Sequence, residues 1–344
     1  MTRATVAFTA TSFLPVPLLV LGASFGGVWC WSALIYLTLL AFVLDEIVAT
    51  FGDEDSEFPA ADGLLVVLGL SHFVVLALVV RAFGNGLGTG EGIALFLATG
   101  LFCGQIGNAN AHELIHRGAR SLHQLGRWVY ISMLFGHHTS AHTLVHHRYV
   151  GSADDPNTAR VGEGYYGFAA RAWMGSFRAG LAAENARYQG RSILLHPYVG
   201  YCVGSILCVI AAWTIGGWGA LAAYLGLAVF AQSQLLMSDY VQHYGLARAT
   251  RGEKLEPVAA EHSWNAPHVF TSHMMLNAPR HSAHHARPSL KFNELDLPAP
   301  GSAPVLPYSL PAMSVIALYP PLWRRMMNPR LAYWQARPLE PLAA

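Results

Sequence analysis

The sequence predicts an all-α polytopic membrane protein: six transmembrane helices in a single domain, 1–344, with a histidine-rich cytoplasmic cap. Three observations carry that expectation. Of the 344 residues, 53% are hydrophobic and only 12% are charged, with a mean hydropathy of +0.35, whereas soluble globular chains run nearer about 25% charged. Several apolar runs reach the length of about 20 residues that a helix needs to cross a bilayer. The third is histidine: 17 of them in a chain this poor in charge, many in dense groups.

In chain order the spans fall at about 6–25, 28–50, 63–82, 92–111, 196–216 and 219–240. Gly26-Gly27 and Gly216-Gly217 mark tight hairpins between the first and second spans and between the fifth and sixth. The first apolar run follows Arg3 and continues too far for a cleavable signal, so it reads as an uncleaved anchor. The stretch 308–322 is apolar but interrupted by Pro311, Pro320 and Pro321, which favours a core or interfacial helix over a seventh crossing. The cap comprises 112–195 and 241–344.

Orientation follows from the cationic residues. With the N-terminus inside, every Lys and Arg except Arg81 lies on the inner side. The acidic loop Asp53, Glu54, Asp55, Glu57 is inside as well, and acidic residues weigh little in the rule. A net charge of +1 argues against nucleic acid as a partner. Cys30, Cys103, Cys202 and Cys208 form no CxxC pair, which excludes a built-in rubredoxin or zinc ribbon.

Three histidine groups carry the chemistry, all on the predicted cytoplasmic side at or beyond helix ends. "HELIH" places His112 and His116 at i, i+4. "HTLVHH" places His142 and His146 likewise, with His147 beside them. "HSAHH" gives His281, His284 and His285 at i, i+3, i+4. Such spacings aim ring nitrogens at a common point above one helix face. Scattered histidines (His72, His123, His137, His196, His273) read as surface or hydrogen-bonded core residues. The HExxH string by itself is the zinc-peptidase signature, with Glu113 as base. A zinc peptidase, however, needs three protein ligands and an open position. Eight or nine imidazoles are enough for two metals, and imidazole suits iron among the first-row ions.

The strings "NANAHELIHR" (108–117), "HTLVHHRYVGSADDPNTAR" (142–160), "DYVQHYGLAR" (239–248), "HSWN" (262–265), "LNAPRHSAHHARP" (276–288) and "PPLWRRMMNPRL" (320–331) resemble the integral-membrane di-iron desaturase and hydroxylase superfamily. Within it they resemble the alkane 1-monooxygenase (alkane omega-hydroxylase) group, over about residues 40–332. The resemblance implies two non-haem iron ions with nine ligands: His112, His116, His142, His146, His147, His243, His281, His284 and His285. Only the "QHYG" match supports His243. Glu113, Asp154, Asp155, Asp239, Glu261, His262 and Asn265 are the polar residues in these strings expected to orient the ligating rings. Ala141-His142-Thr143 departs from the Glu-His-Asn common in the group and leaves the substrate open.

The activity so implied is O2-dependent hydroxylation of the terminal carbon of n-alkanes in a bacterial inner membrane. The chain has neither a GxGxxG nor a CxxC motif of its own, so electrons arrive from outside, and the resemblance implies reduced rubredoxin and its reductase as their source. Arg117, Arg120, Arg127, Arg148, Arg324 and Arg325 offer a basic surface for an acidic carrier. An alkane has no polar handle, so an apolar cavity between spans must recognise it by length; Ile35, Tyr36, Leu39 and Phe42 on the second span are its expected lining. The rival readings are the same chemistry on another apolar substrate (an aromatic side chain, a terpene or a fatty acyl chain), a membrane zinc peptidase, and a non-catalytic metal- or haem-handling protein.

Overall fold

The computed structural model describes residues 2–47, 61–252 and 254–337, so the acidic stretch 53–57 lies outside the described residues. Among the described residues helices dominate, with one two-stranded antiparallel ribbon, β1 (Thr250–Arg251) and β2 (Lys254–Leu255).

Among the described residues, five helices are long and apolar enough to cross a membrane. Four are α1 (Arg3–Phe25), α2 (Val28–Ile47), α3 (Ala61–Asn85) and α4 (Thr89–Ile115). α1 and α2 form the expected hairpin. Gly26 and Gly27 turn the chain at φ 65° and 58°, a conformation that costs a residue with a Cβ dearly.

Between α4 and the last long helix lie three shorter ones: α5 (Arg120–Ser132), α6 (138–149) and α7 (Tyr165–Arg187). The fifth long helix, α8 (Pro197–His243), has 47 residues. Drawn straight it would reach about 70 Å, more than twice the hydrocarbon core of a bilayer. It is instead broken at Gly216 and Gly217, the latter at φ 65°. Cys208 on one side of the break meets the Tyr224 hydroxyl on the other. The limbs 197–215 and 218–243 therefore lie side by side, where the fifth and sixth spans were expected.

Small residues let these helices approach. A Cβ on Gly84 of α3 would come within 2.6 Å of the Gly216 Cα, and one on Gly104 of α4 within 2.5 Å of the Gln234 Cβ. Gly100 and Gly104 form a GxxxG face on α4 against Phe230 and Gln234 of α8, the close packing that apolar surroundings reward.

The segment 112–195 does more than cap the bundle. The end of α5 reaches between α3 and α8: Ser132 Oγ lies 2.9 Å from His72 Nε2, and the Ser132 carbonyl accepts from the Tyr224 hydroxyl at 2.8 Å. Gln232 Nε2 holds the turn after α5 by donating to the Met133 carbonyl at 2.8 Å.

The C-terminal segment supplies α9 (Val269–Met274), α10 (His281–Ala286), α11 (Leu310–Ala317) and α12 (Pro320–Gln335). The prolines at 311, 320 and 321 sit in the first turns of α11 and α12, where a missing N–H costs nothing. As expected, this stretch makes no seventh long helix. Asp45, at the end of α2, accepts from the Thr271 amide at 3.0 Å and so ties α9 to the bundle.

Candidate metal centre

All nine histidines converge where α4 and α8 end. One ring nitrogen from each of His112, His116, His142, His147 and His284 forms one set. Those of His146, His243, His281 and His285 form another, and within each set the nitrogens lie within 4.8 Å of one another. The sets are adjacent, with the His147 and His285 ring centroids 4.8 Å apart.

Local helix geometry decides which ring goes where. His112 and His116 stand one turn apart at the end of α4 and join the same set. α6 runs as a π-helix over His142–His146. This wider turn brings His142 and His147 together at i, i+5, and His146 swings to the second set. The expectation that His142 and His146 share one point is corrected accordingly. α10 is regular: His281 and His285 at i, i+4 enter the second set, and His284 enters the first. Three of the described helices carry π stretches, at 36–40, 102–107 and 142–146, and such insertions favour functional sites.

The packing of nitrogens fits metal ions. His147 Nε2 lies 3.2 Å from His116 Nε2, 2.9 Å from His142 Nε2 and 3.1 Å from His284 Nε2. A neutral imidazole has a single N–H, so one nitrogen cannot satisfy three others. Lone pairs so crowded call for a cation among them. Nitrogens bound at about 2.1 Å and at right angles would stand about 3.0 Å apart, close to what is seen. In the second set His281 Nε2 lies 2.9 Å from His243 Nε2 and 3.0 Å from His285 Nε2. The buried Nε2 atoms of His112 and His146 have no hydrogen-bond partner among the described residues.

Burial and then mutual repulsion hold His142, His147, His284, His281 and His285 well below the ordinary imidazole pKa. Burial brings His116 down to about 4. These rings are neutral at pH 7, as ligation requires. His146 is the exception. Burial would lower it, but Asp155 outweighs burial and raises it. Burial would likewise raise Asp155; His146, Thr158 and the Asn157 amide leave it below the usual carboxylate range.

Of the seven residues expected to orient rings, Asp155 touches one directly. Its Oδ2 lies 2.9 Å from His146 Nδ1, which fixes the tautomer and leaves Nε2 for the second set. Asp239 joins this network through Asn157, whose Nδ2 donates to it at 2.5 Å. Asn265 works through the backbone: its Oδ1 accepts from the Ser282 amide at 3.0 Å and its Nδ2 donates to Ser282 Oγ at 2.7 Å, anchoring the first turn of α10.

The side chains of the other four lie apart from the rings, although the His262 backbone bonds to His243. Glu113 accepts from Arg117 Nη2 and from the Phe292 amide, each at 3.1 Å, and bonds to no imidazole. Asp154 is exposed. His262 takes the Ala259 amide at 3.0 Å and faces Glu256 at 3.2 Å, and Glu261 is half-buried in the same loop.

The expected substrate wall is corrected. Ile35, Leu39 and Phe42 are 49%, 61% and 47% exposed on the outer side of α2. Tyr36 alone is buried, with its hydroxyl donating to the Thr11 carbonyl. The inward face of α2 carries Cys30, Ala33, Leu37, Ala41 and Asp45 instead. Bulk is a poor guide on a membrane helix, because lipid is as apolar as the interior. The basic surface also divides. Arg117 is buried between Asp62 at 3.2 Å and Glu113, whereas Arg120, Arg148 and Arg325 are exposed.

Two residues escaped the sequence reading. Asn157 sits inside the quoted "DPNTAR" string. His138 is buried, its ring centroid 5.1 Å from that of His142 and 5.4 Å from that of Phe135; the signal was its i, i+4 spacing to His142.

Residues 91–317 match the fatty acid desaturase family. Among curated relatives, the chain is 29% identical over 325 residues to alkane 1-monooxygenase 2 of Alcanivorax borkumensis, covering 89% of this chain and 84% of that one. It is 28% identical over 333 residues to alkane 1-monooxygenase 2 of Pseudomonas aeruginosa, covering 92% and 88%. It is also 27% identical over 237 residues to the xylene/toluene monooxygenase hydroxylase component XylM of Pseudomonas putida, covering 66% and 61%.

Proposed function

The chain belongs to the fatty acid desaturase family, and on that premise we propose that it is an integral-membrane, O2-dependent monooxygenase that hydroxylates the terminal carbon of medium- to long-chain n-alkanes. The observation that carries this reading is the meeting of nine imidazoles, in adjacent sets of five and four, at the ends of apolar helices. A zinc peptidase has no use for the second set.

Two iron ions, one per set, would supply the redox chemistry that breaks a strong, non-acidic C–H bond, which acid–base catalysis cannot address. The overall balance is an alkane, O2, two electrons and two protons giving a primary alcohol and water. Reduced rubredoxin, recharged by its reductase, is the electron source in this reading.

The chain's own residues hold the rings. Asp155 keeps the proton of His146 on Nδ1. Asn265 fixes α10, and with it three of the nine rings. The helices bring an apolar substrate from the bilayer to the histidine end, which in this reading faces the cytoplasm of a bacterial inner membrane. One domain, 1–344, suffices, because no ring set is complete without both the 112–195 and 241–344 segments.

The similarity to XylM favours a second reading, hydroxylation of an aromatic methyl group. One assay tests both: membranes supplied with rubredoxin, reductase and NADH, offered octane, hexadecane and xylene, with products identified by mass. 1-Octanol or 1-hexadecanol is expected. Methylbenzyl alcohol alone would favour the aromatic reading, and no oxygenated product from any of the three would defeat both.

A further inference from the structure

Apart from the histidine sets, a cavity of about 610 Å³ opens between α5, the start of α6, the end of α7 and the turn into α8. Four arginines line it, Arg120, Arg127, Arg187 and Arg191, with His123 and His196. One carboxylate, that of Glu184, opposes them. It is 5% exposed; its Oε1 accepts from the Ser140 hydroxyl at 2.6 Å, and its Oε2 stands 3.9 Å from Arg187. Four guanidinium groups against one carboxylate leave a strong cationic excess in a concave space.

The arginines are seated but uncommitted. Arg127 lies with its guanidinium carbon 5.2 Å from the Tyr201 ring centroid. Its Nη2 occupies the space beside Gly200, 2.0 Å from where a Cβ would stand. Among the described residues its hydrogen bond goes from Nη1 to Gln124 at 3.0 Å. Arg187 approaches Glu184 only to 3.9 Å, and Arg191 stacks over Tyr188 at 5.4 Å. The Arg120 side chain makes no hydrogen bond or ion pair among the described residues.

The rim is apolar. Leu194 and Leu195 border the cavity, and Ile193, Leu194 and Leu195 are 68%, 78% and 69% exposed, immediately before Pro197 begins α8. Trp128, next to Arg127, is 42% exposed and packs beside the Gly204 position of α8, in the manner of residues at a membrane boundary. Cations within and bare leucines at the lip match an amphiphile whose charged end enters first.

We propose that this cavity binds the phosphodiester headgroup of an anionic phospholipid, with the arginines on the phosphate and the acyl chains running along the 193–195 lip. The inference rests on reading the chain as membrane-spanning, and not on its oxygenation chemistry. Basic pockets beside spans at a cytoplasmic face are suited to such headgroups. A flat protein contact is a poorer fit to a concave volume of small-ligand size.

The test is native mass spectrometry of the full-length protein in detergent, re-equilibrated with phosphatidylglycerol and phosphatidylcholine at equal mole fraction. One phosphatidylglycerol per chain should be retained in preference. The R127Q/R191Q variant should lose about 25-fold in that preference, about fivefold per guanidinium. If removing Arg127 disturbs folding, as judged by circular dichroism, R120Q/R191Q carries the test with two exposed residues. Equal retention of the two lipids, or undiminished preference in the folded variants, overturns the proposal. So does complete displacement by millimolar inorganic phosphate, which would mark a soluble-anion site, or displacement by rubredoxin, which would mark a carrier dock. The readout is mass and not turnover, so a chain that holds the lipid and hydroxylates nothing still supports the site while sinking the proposed reaction.

Discussion

The Nε2 atoms of His142 and His147 lie 2.9 Å apart although the two stand five positions apart in the chain. In a regular α-helix the partner of His142 would be His146. The π stretch over His142–His146 exchanges one for the other, and it lets one short helix serve both ring sets.

His142→Ala and His146→Ala should therefore strip different ions. Each single variant is expected to fall from about two irons per chain to about one, and the double variant close to none. Elemental analysis of purified protein checks this. Full iron in either single variant would remove that ring from its set.

Asp155→Ala should weaken metal binding about 10- to 100-fold, because His146 would lose the partner that fixes its tautomer. Competition with a chelator of known affinity measures the loss. Asp154→Ala, an exposed neighbour, should leave it unchanged.

Glu113→Gln distinguishes the peptidase reading from the one favoured here. Glu113 ties the end of α4 to Arg117 and the Phe292 amide. Its amide variant should lose about 1.5–3 kcal/mol of stability, the range for a hydrogen bond to a charged group, while turnover per bound iron stays near the parent value. A peptidase base would instead lose all activity while keeping its metal.

Gly104→Val should destabilise the α4–α8 contact by about 1–3 kcal/mol, since a Cβ there stands 2.5 Å from that of Gln234. Thermal melts in detergent provide the measurement. Gly63→Ala, with nothing within 4 Å of its added Cβ, is the neutral control.

Much of this was legible in the sequence, for identifiable reasons. Span length and Gly-Gly turns are one-dimensional signals, so α1 to α4 and the fold-back of α8 could be placed directly. The nine histidines were visible through density and matched strings. What sequence could not supply was rotational phase. Regular α-helical spacing misassigned His146, and bulk put Ile35, Leu39 and Phe42 on the wrong face of α2. The partners of Glu113 were equally hidden, because Phe292 lies 179 residues away. The role of Asn157 was hidden in the same way, because Asp239 lies 82 residues away, whereas His138 was signalled by its spacing to His142 and passed over.

α10 is only six residues long, yet it sends His284 to one set and His281 and His285 to the other. A helix this short has little stability of its own; Asn265 holds its first turn and the metals would hold the rest. Occupancy of one set thus orders the segment that completes the other, and part of the entropic cost of the second binding event is met by the first. Loading should be cooperative, with a sigmoidal iron titration and few singly occupied chains at half saturation. Filling either set would ease the filling of the other, while each set keeps its own ligands.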